Sequence, residues 1–75
     1  KRFMIRSLNN NTFEAYTAGA VAMSAALYTM DGRLVSSASQ SGNTIQVSAQ
    51  GQHKGIYILR ISDGKQSHVQ KVVVK

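Results

Sequence analysis

Two histidines, three carboxylates and a cluster of serines are the side chains on which chemistry would have to rest in this 75-residue chain. His53 and His68 stand apart, and neither has a carboxylate or a second histidine at a metal-binding spacing. There is no cysteine, which excludes thiolate nucleophiles, cysteine-ligated metals and disulfides together. The acids Glu14, Asp31 and Asp63 are scattered. Asp31 and Asp63 each precede a glycine, where aspartate serves as a turn former. No two of the three are spaced for acid–base work. Ser36, Ser37, Ser39 and Ser41 cluster with no base nearby in sequence, so they make no nucleophilic triad. No glycine-rich phosphate loop occurs. The chain reads as a non-enzyme with no cofactor and no metal.

Charge offers more. Nine basic residues against three acidic ones give a formal charge of +6. Such a balance suits an anionic partner: nucleic acid, lipid headgroups or acidic polysaccharide. The cations are dispersed, however. Lys1, Arg2 and Arg6 lie at one end, Arg33 and Arg60 in the middle, and Lys65, Lys71 and Lys75 at the other end. No basic run is interleaved with aromatics as single-strand binding requires, so nucleic acid is not an expected partner.

One short stretch does combine charge with a recognisable geometry: Lys71, Val72, Val73, Val74 and Lys75. A strand here has two physical uses. It can be read by a partner through its edge hydrogen bonds and side-chain pockets. It can also complete a sheet, with the valines as core and the lysines guarding an edge against aggregation. Alternation puts Val72 and Val74 on one face and Val69 and Val73 on the other. On these residues alone the two uses carry about equal weight.

The elements that must position this stretch have period two, not 3.6. FMIRSL (3–8) and TFEAYT (12–17) read as strands, Phe13 and Ala15 sharing one side and Tyr16 taking the other. TAGAVA (17–22) is small and turn-like around Gly19. MSAALYTM (23–30) alternates with Met23, Ala25 and Leu27 on one face; β character around Leu27 and Tyr28 outweighs the helix propensity of its alanines. Asp31-Gly32 is a two-residue turn signal, and RLVSSA (33–38) is the return strand with Leu34 and Val35 its apolar pair. SQSG (39–42) reads as a loop. NTIQVS (43–48) turns Ile45 and Val47 inward, and AQGQHK (49–54) is a polar loop. GIYILRIS (55–62) is the strongest strand. Tyr57, Leu59 and Ile61 share one face and Ile56 and Ile58 the other, which predicts a central or doubly covered position. Gly55 opens it, as a turn residue or a point of close backbone approach. Tyr57 is expected to bury its ring and to need a partner for its hydroxyl. Asp63-Gly64 turns the chain into the last strand, HVQKVVVK (68–75).

About seven short alternating strands with frequent turns predict an all-β fold, an antiparallel β-sandwich. Seventy-five residues make one domain with a thin core. No apolar run approaches the ~20 residues a membrane-spanning helix needs. The chain opens on Lys1 without methionine or leader and reads as a fragment of a longer precursor. Valine-rich edges also suggest a homodimer by edge-strand pairing or strand swapping, which a concentration-independent monomer mass would dismiss.

Three segments resemble a known family. ALYTMDGRLV (26–35) is similar to its pattern of apolar residue, tyrosine, glycine and basic residue ahead of an apolar strand. NTIQVS resembles its next strand. GIYILRISDGKQSHVQKVVVK (55–75) resembles its ending, from the Gly-apolar-Tyr opening to the valine-rich finish with a terminal lysine. The family is the type A carboxyl-terminal sorting domain of the type IX secretion system of Bacteroidetes. The resemblance covers roughly residues 20–75. The first twenty residues match poorly, and the Asn-Pro pair common near the family's start has no counterpart in a chain without proline.

The resemblance implies an immunoglobulin-like sandwich of seven strands that serves as a secretion address. An upstream cargo in the same precursor would enter the periplasm and be carried by the type IX translocon and its shuttle proteins to the cell surface or the medium. On many members a surface sortase then removes the domain and joins the cargo to anionic lipopolysaccharide. Lys71, Val72, Val73, Val74 and Lys75 would be the residues read by the translocon. Gly32, Gly55, Tyr57, Asp63 and Gly64 would form the structural motif. A rival from another class is an adhesion or carbohydrate-binding sandwich ending a surface protein. It is disfavoured by loops SQSG, AQGQHK and DGKQS, none of which holds an aromatic for sugar stacking.

Overall fold

In the computed structural model residues 3–75 are described; Lys1 and Arg2, counted above among the cations of one end, lie outside the described residues. Seven strands follow in order: β1 (Met4–Leu8), β2 (Thr12–Tyr16), β3 (Ala22–Tyr28), β4 (Leu34–Ser41), β5 (Thr44–Ser48), β6 (Gly55–Ser62) and β7 (Ser67–Val74), with one 3₁₀ turn, Asn9–Asn11, between β1 and β2. They form a three-stranded sheet in the order β1-β2-β5 and a four-stranded sheet in the order β4-β3-β6-β7. Every pairing is antiparallel. This is an immunoglobulin-like sandwich in which the fourth strand extends the sheet of β3, β6 and β7 rather than the sheet of β1, β2 and β5.

Alternation builds the core. Phe13 and Ala15 of β2 and Ile45 and Val47 of β5 face Met23, Ala25 and Leu27 of β3 and Tyr57, Leu59 and Ile61 of β6, all buried. Leu27 and Leu59 are directly opposed and wholly buried at the centre of the four-stranded sheet. Each strand therefore spends one face on the core, as period two requires. The corner where the chain passes between sheets is held by backbone bonds between its two crossing segments, Gly42 N–H to Val21 O at 2.8 Å and Thr17 N–H to Asn43 O at 3.1 Å.

The structure corrects the strand map in three places. Residues 39–41 are not loop: β4 runs to Ser41 and pairs Ser39, Gln40 and Ser41 with Ser24, Met23 and Ala22. An edge strand needs only its backbone for this, so its polar side chains hid it. Leu34 and Val35, the apolar pair of this strand, separate in the structure. A bulge between Leu27 and Tyr28 shifts the register, so Leu34 sits opposite Tyr28 and is exposed while Val35 packs on the core. The Asp31-Gly32 turn is wider than two residues. Thr29 and Arg33 close it, Gly32 N–H bonds back to Thr29 O at 2.9 Å, and Gly32 takes the left-handed φ of +94° that this bulged three-residue loop demands. The strand β6 takes the central position expected of it, between β3 and β7, with Ile56 exposed and Ile58 half-buried on its outer face.

Candidate functional site

The terminal strand β7 lies on the edge of the four-stranded sheet, bonded to β6 alone. Its register sets Gly55 against Val74, Ile56 against Val73, Tyr57 against Val72 and Ile58 against Lys71. The five terminal residues are thereby sorted into two groups. Val72 and Val74 point into the core, 7% and 1% exposed. Val73 is 54% exposed, and Lys71 and Lys75 are exposed with it. In the folded domain a partner can touch Lys71, Val73 and Lys75, together with the unpaired backbone edge of β7. Val72 and Val74 can affect such a partner only by holding the strand in place.

The edge strands β1 and β7 flank the same side of the sandwich. Between them runs a groove of about 340 Å³ lined by Ile5, Arg6 and Ser7 on one side and by Gln70 to Val73 and Lys75 on the other. At one end of β7, His68 stacks on Phe3, ring centroids 5.9 Å apart and planes 13° from parallel, and its Nε2 lies 3.1 Å from Gln70 Oε1. His68, expected as a plain strand residue, thus helps close the sandwich. His53 contributes its backbone carbonyl, which accepts the Tyr57 hydroxyl at 2.7 Å. The Tyr57 ring is buried, and that bond satisfies its oxygen while anchoring the preceding loop.

At the other end of β7 the contact was not foreseen. Asn11, in the turn between β1 and β2, donates from Nδ2 to the Lys75 carbonyl at 2.8 Å and accepts the Lys75 N–H on Oδ1 at 3.0 Å. Its own carbonyl accepts the Ala49 N–H at 2.8 Å. Its carboxamide imitates a peptide group and makes a one-residue bridge between the sheets. Asn10 and Asn11 hold φ of +62° and +54°, a region asparagine tolerates better than other side chains. Three consecutive asparagines between strands mark a turn, but nothing local announces a partner at residue 75. Replacing Asn11 by glycine keeps the backbone geometry and removes the clasp. We expect Lys75 N–H exchange to quicken about tenfold or more, since two bonds worth ~1 kcal/mol each are lost. Asn11→Ala should lose a further ~1 kcal/mol for its left-handed backbone. An unchanged Lys75 exchange rate by NMR in Asn11→Gly would show the clasp to be absent in solution.

The remaining motif residues are structural in their placement. Gly55 has φ of +147°, and a Cβ there would meet nothing within 4 Å, so conformation, not close approach, calls for glycine. In the β6–β7 turn Asp63 Oδ1 accepts the N–H groups of Lys65 and Gln66 at 2.9 and 2.8 Å, with Gly64 between. Asp31 sits in the β3–β4 turn, where the Thr29 hydroxyl donates to its carboxylate and holds its pKa below the ordinary value. Glu14 is lowered likewise, by hydrogen bonds from Gln46 and then from Arg6. Both carboxylates are depressed, so their contribution is present above the ordinary carboxylate range and fades as pH falls through the lowered values. Among the described residues no three histidine, aspartate or glutamate side chains converge as a metal site would require.

A family model described as the secretion system C-terminal sorting domain matches residues 7–75. The match extends across β2 and the last two residues of β1, in the segment where the resemblance in sequence is weakest. No curated protein and no solved structure matches the chain.

Proposed function

Because the chain belongs to the secretion system C-terminal sorting domain family, the export signals of type IX secretion, we propose that it carries an upstream cargo through the periplasm and across the outer membrane. The observation that carries this is the extent of the family match, which takes in the end of β1 and the whole of β2 to β7. Members of this family address their proteins to the cell surface or the medium. In our reading the translocon and its shuttle proteins engage the β7 edge through Lys71, Val73 and Lys75. Val72 and Val74 fix the strand from within the core, and Gly32, Gly55, Tyr57, Asp63 and Gly64 shape the turns and strand that support it. A surface sortase that removes the domain and attaches the cargo to anionic lipopolysaccharide completes the proposed route.

An export assay tests it. Residues 1–75 are fused behind a signal peptide and a fluorescent passenger in a host with the type IX system. The passenger is expected at the surface or in the medium with the domain, and in the periplasm without it. Retention in both cases would sink the proposal. Deleting residues 71–75 is a poor probe of the terminal strand, because it takes Val72 and Val74 out of the core. Lys71→Ala combined with Lys75→Ala leaves the core intact. We expect that pair to lower export about tenfold, the effect of losing two modest charged contacts. Export at the parent level would show that these lysines only solubilise the edge.

A further inference from the structure

The two outer faces of the sandwich are built differently. On the three-stranded sheet the row Arg6, Glu14, Gln46 satisfies itself, with Arg6 Nε donating to Glu14 at 2.8 Å and Gln46 Nε2 at 3.1 Å. On the four-stranded sheet one outward row crosses every strand: Leu34, Tyr28, Ile58, Lys71. The next row sets Ile56 beside Val73. Leu34, Ile56 and Val73 are each more than half exposed, at 53%, 53% and 54%. Beside this ridge Ser24, Ala26, Ser37 and Ser39 are too small to fill the surface. They floor a depression of about 760 Å³ walled by Tyr28, Leu34 and Arg60.

Charge says what fits there. The charged side chains on this face are Lys71 and Arg60, which sits opposite Ala26 beside the depression, and neither is ion-paired among the described residues. None of the chain's three carboxylates shares the face. Glu14 belongs to the opposite sheet, and Asp31 and Asp63 occupy turns at opposite ends of this one. A second copy, itself at +6, would set cation against cation. A contiguous apolar ridge next to unpaired cations is the make-up of a protein interface with a dry centre and a charged rim.

We infer that the outer face of β4-β3-β6-β7 is a docking surface for an element of the export machinery that presents carboxylates interleaved with apolar side chains. The inference rests on the export function proposed above and names a wider contact than the β7 edge. Leu34, Tyr28, Ile56 and Val73 supply the apolar centre, Arg60 and Lys71 pair with the partner's carboxylates, and the depression admits one bulky side chain of the partner.

The test places Leu34→Glu, Val73→Glu, Arg60→Glu and Lys71→Glu singly in the fusion of residues 1–75. Val21→Glu, at a loop position 83% exposed and off this face, is the control. Melting temperatures report the fold. If a face variant melts early, Leu34→Ser or Lys71→Gln takes its place. Export is expected to fall about tenfold or more in each face variant and to stay at the parent level in Val21→Glu. Folded face variants exported like the parent overturn the docking surface and leave the export function standing. An equal loss in Val21→Glu also overturns it, by showing a general sensitivity to added negative charge. A parent fusion that is not exported overturns both.

Discussion

Val74→Asp is expected to lower the melting temperature by roughly 10–40 °C, whereas Val73→Asp should shift it by no more than about 8 °C. The two residues are neighbours with the same side chain. Val74 is 1% exposed and packs in the core, so a carboxylate there has neither water nor a cation to stabilise it. An uncompensated buried charge costs about 3–5 kcal/mol or more. A domain of this length has roughly 4–11 kcal/mol in all. Val73 points outward, 54% exposed, where aspartate forfeits only strand propensity, at most ~1 kcal/mol. Circular dichroism with thermal melting separates them. Equal melting temperatures would mean that the inward and outward assignments along β7 are wrong.

The second large effect belongs to the centre of the four-stranded sheet. Leu59→Ala should cost about 2–5 kcal/mol and lower the melting temperature by roughly 10–30 °C. Leu59 is fully buried and faces Leu27 directly across β3 and β6, so the missing methyl groups leave a hole that both strands would have to move to fill. Leu34→Ala removes the same atoms from an exposed position, and about 0.5 kcal/mol or less is expected. Urea unfolding of the pair measures the contrast. A Leu59→Ala loss below ~1 kcal/mol would imply a core that is loose at its middle.

Where one face of a strand meets the core, its sequence announced it. Met23, Ala25 and Leu27, then Ile45 and Val47, then Tyr57, Leu59 and Ile61 all lie inward because alternation maps directly onto the pleat. Leu34 escaped that logic, since the bulge opposite Leu27 and Tyr28 shifts the phase by one residue and leaves no mark in composition. Ser39 to Ser41 escaped it because an edge strand can be bound by its backbone alone. Apolar residues on both faces of β6 fit its central position in the sheet, while Ile56 and Ile58 keep an outer face that nothing within this chain covers. The terminal lysines and valines were visible as a strand. Alternation divides them into two faces, and which face turns to the core is decided by the packing of β7 beside β6. Asn11 was out of reach altogether, because its partner lies 64 residues away and hydrogen bonds at that separation have no local signature.

That separation bears on when the molecule can become a molecule at all. A ribosome adding roughly 5–20 residues per second delivers Lys75 about 3–13 s after Asn11. Until then Val72 and Val74 are missing from the core, β6 once made lacks its outer neighbour, and the asparagine has nothing to hold. The complete sandwich therefore cannot close before residues 72–75 have been made, and its contacts are dominated by pairings far apart in sequence, which slows folding. Until those residues arrive the domain lacks one wall of its core, and the β6 edge stands open to any other strand.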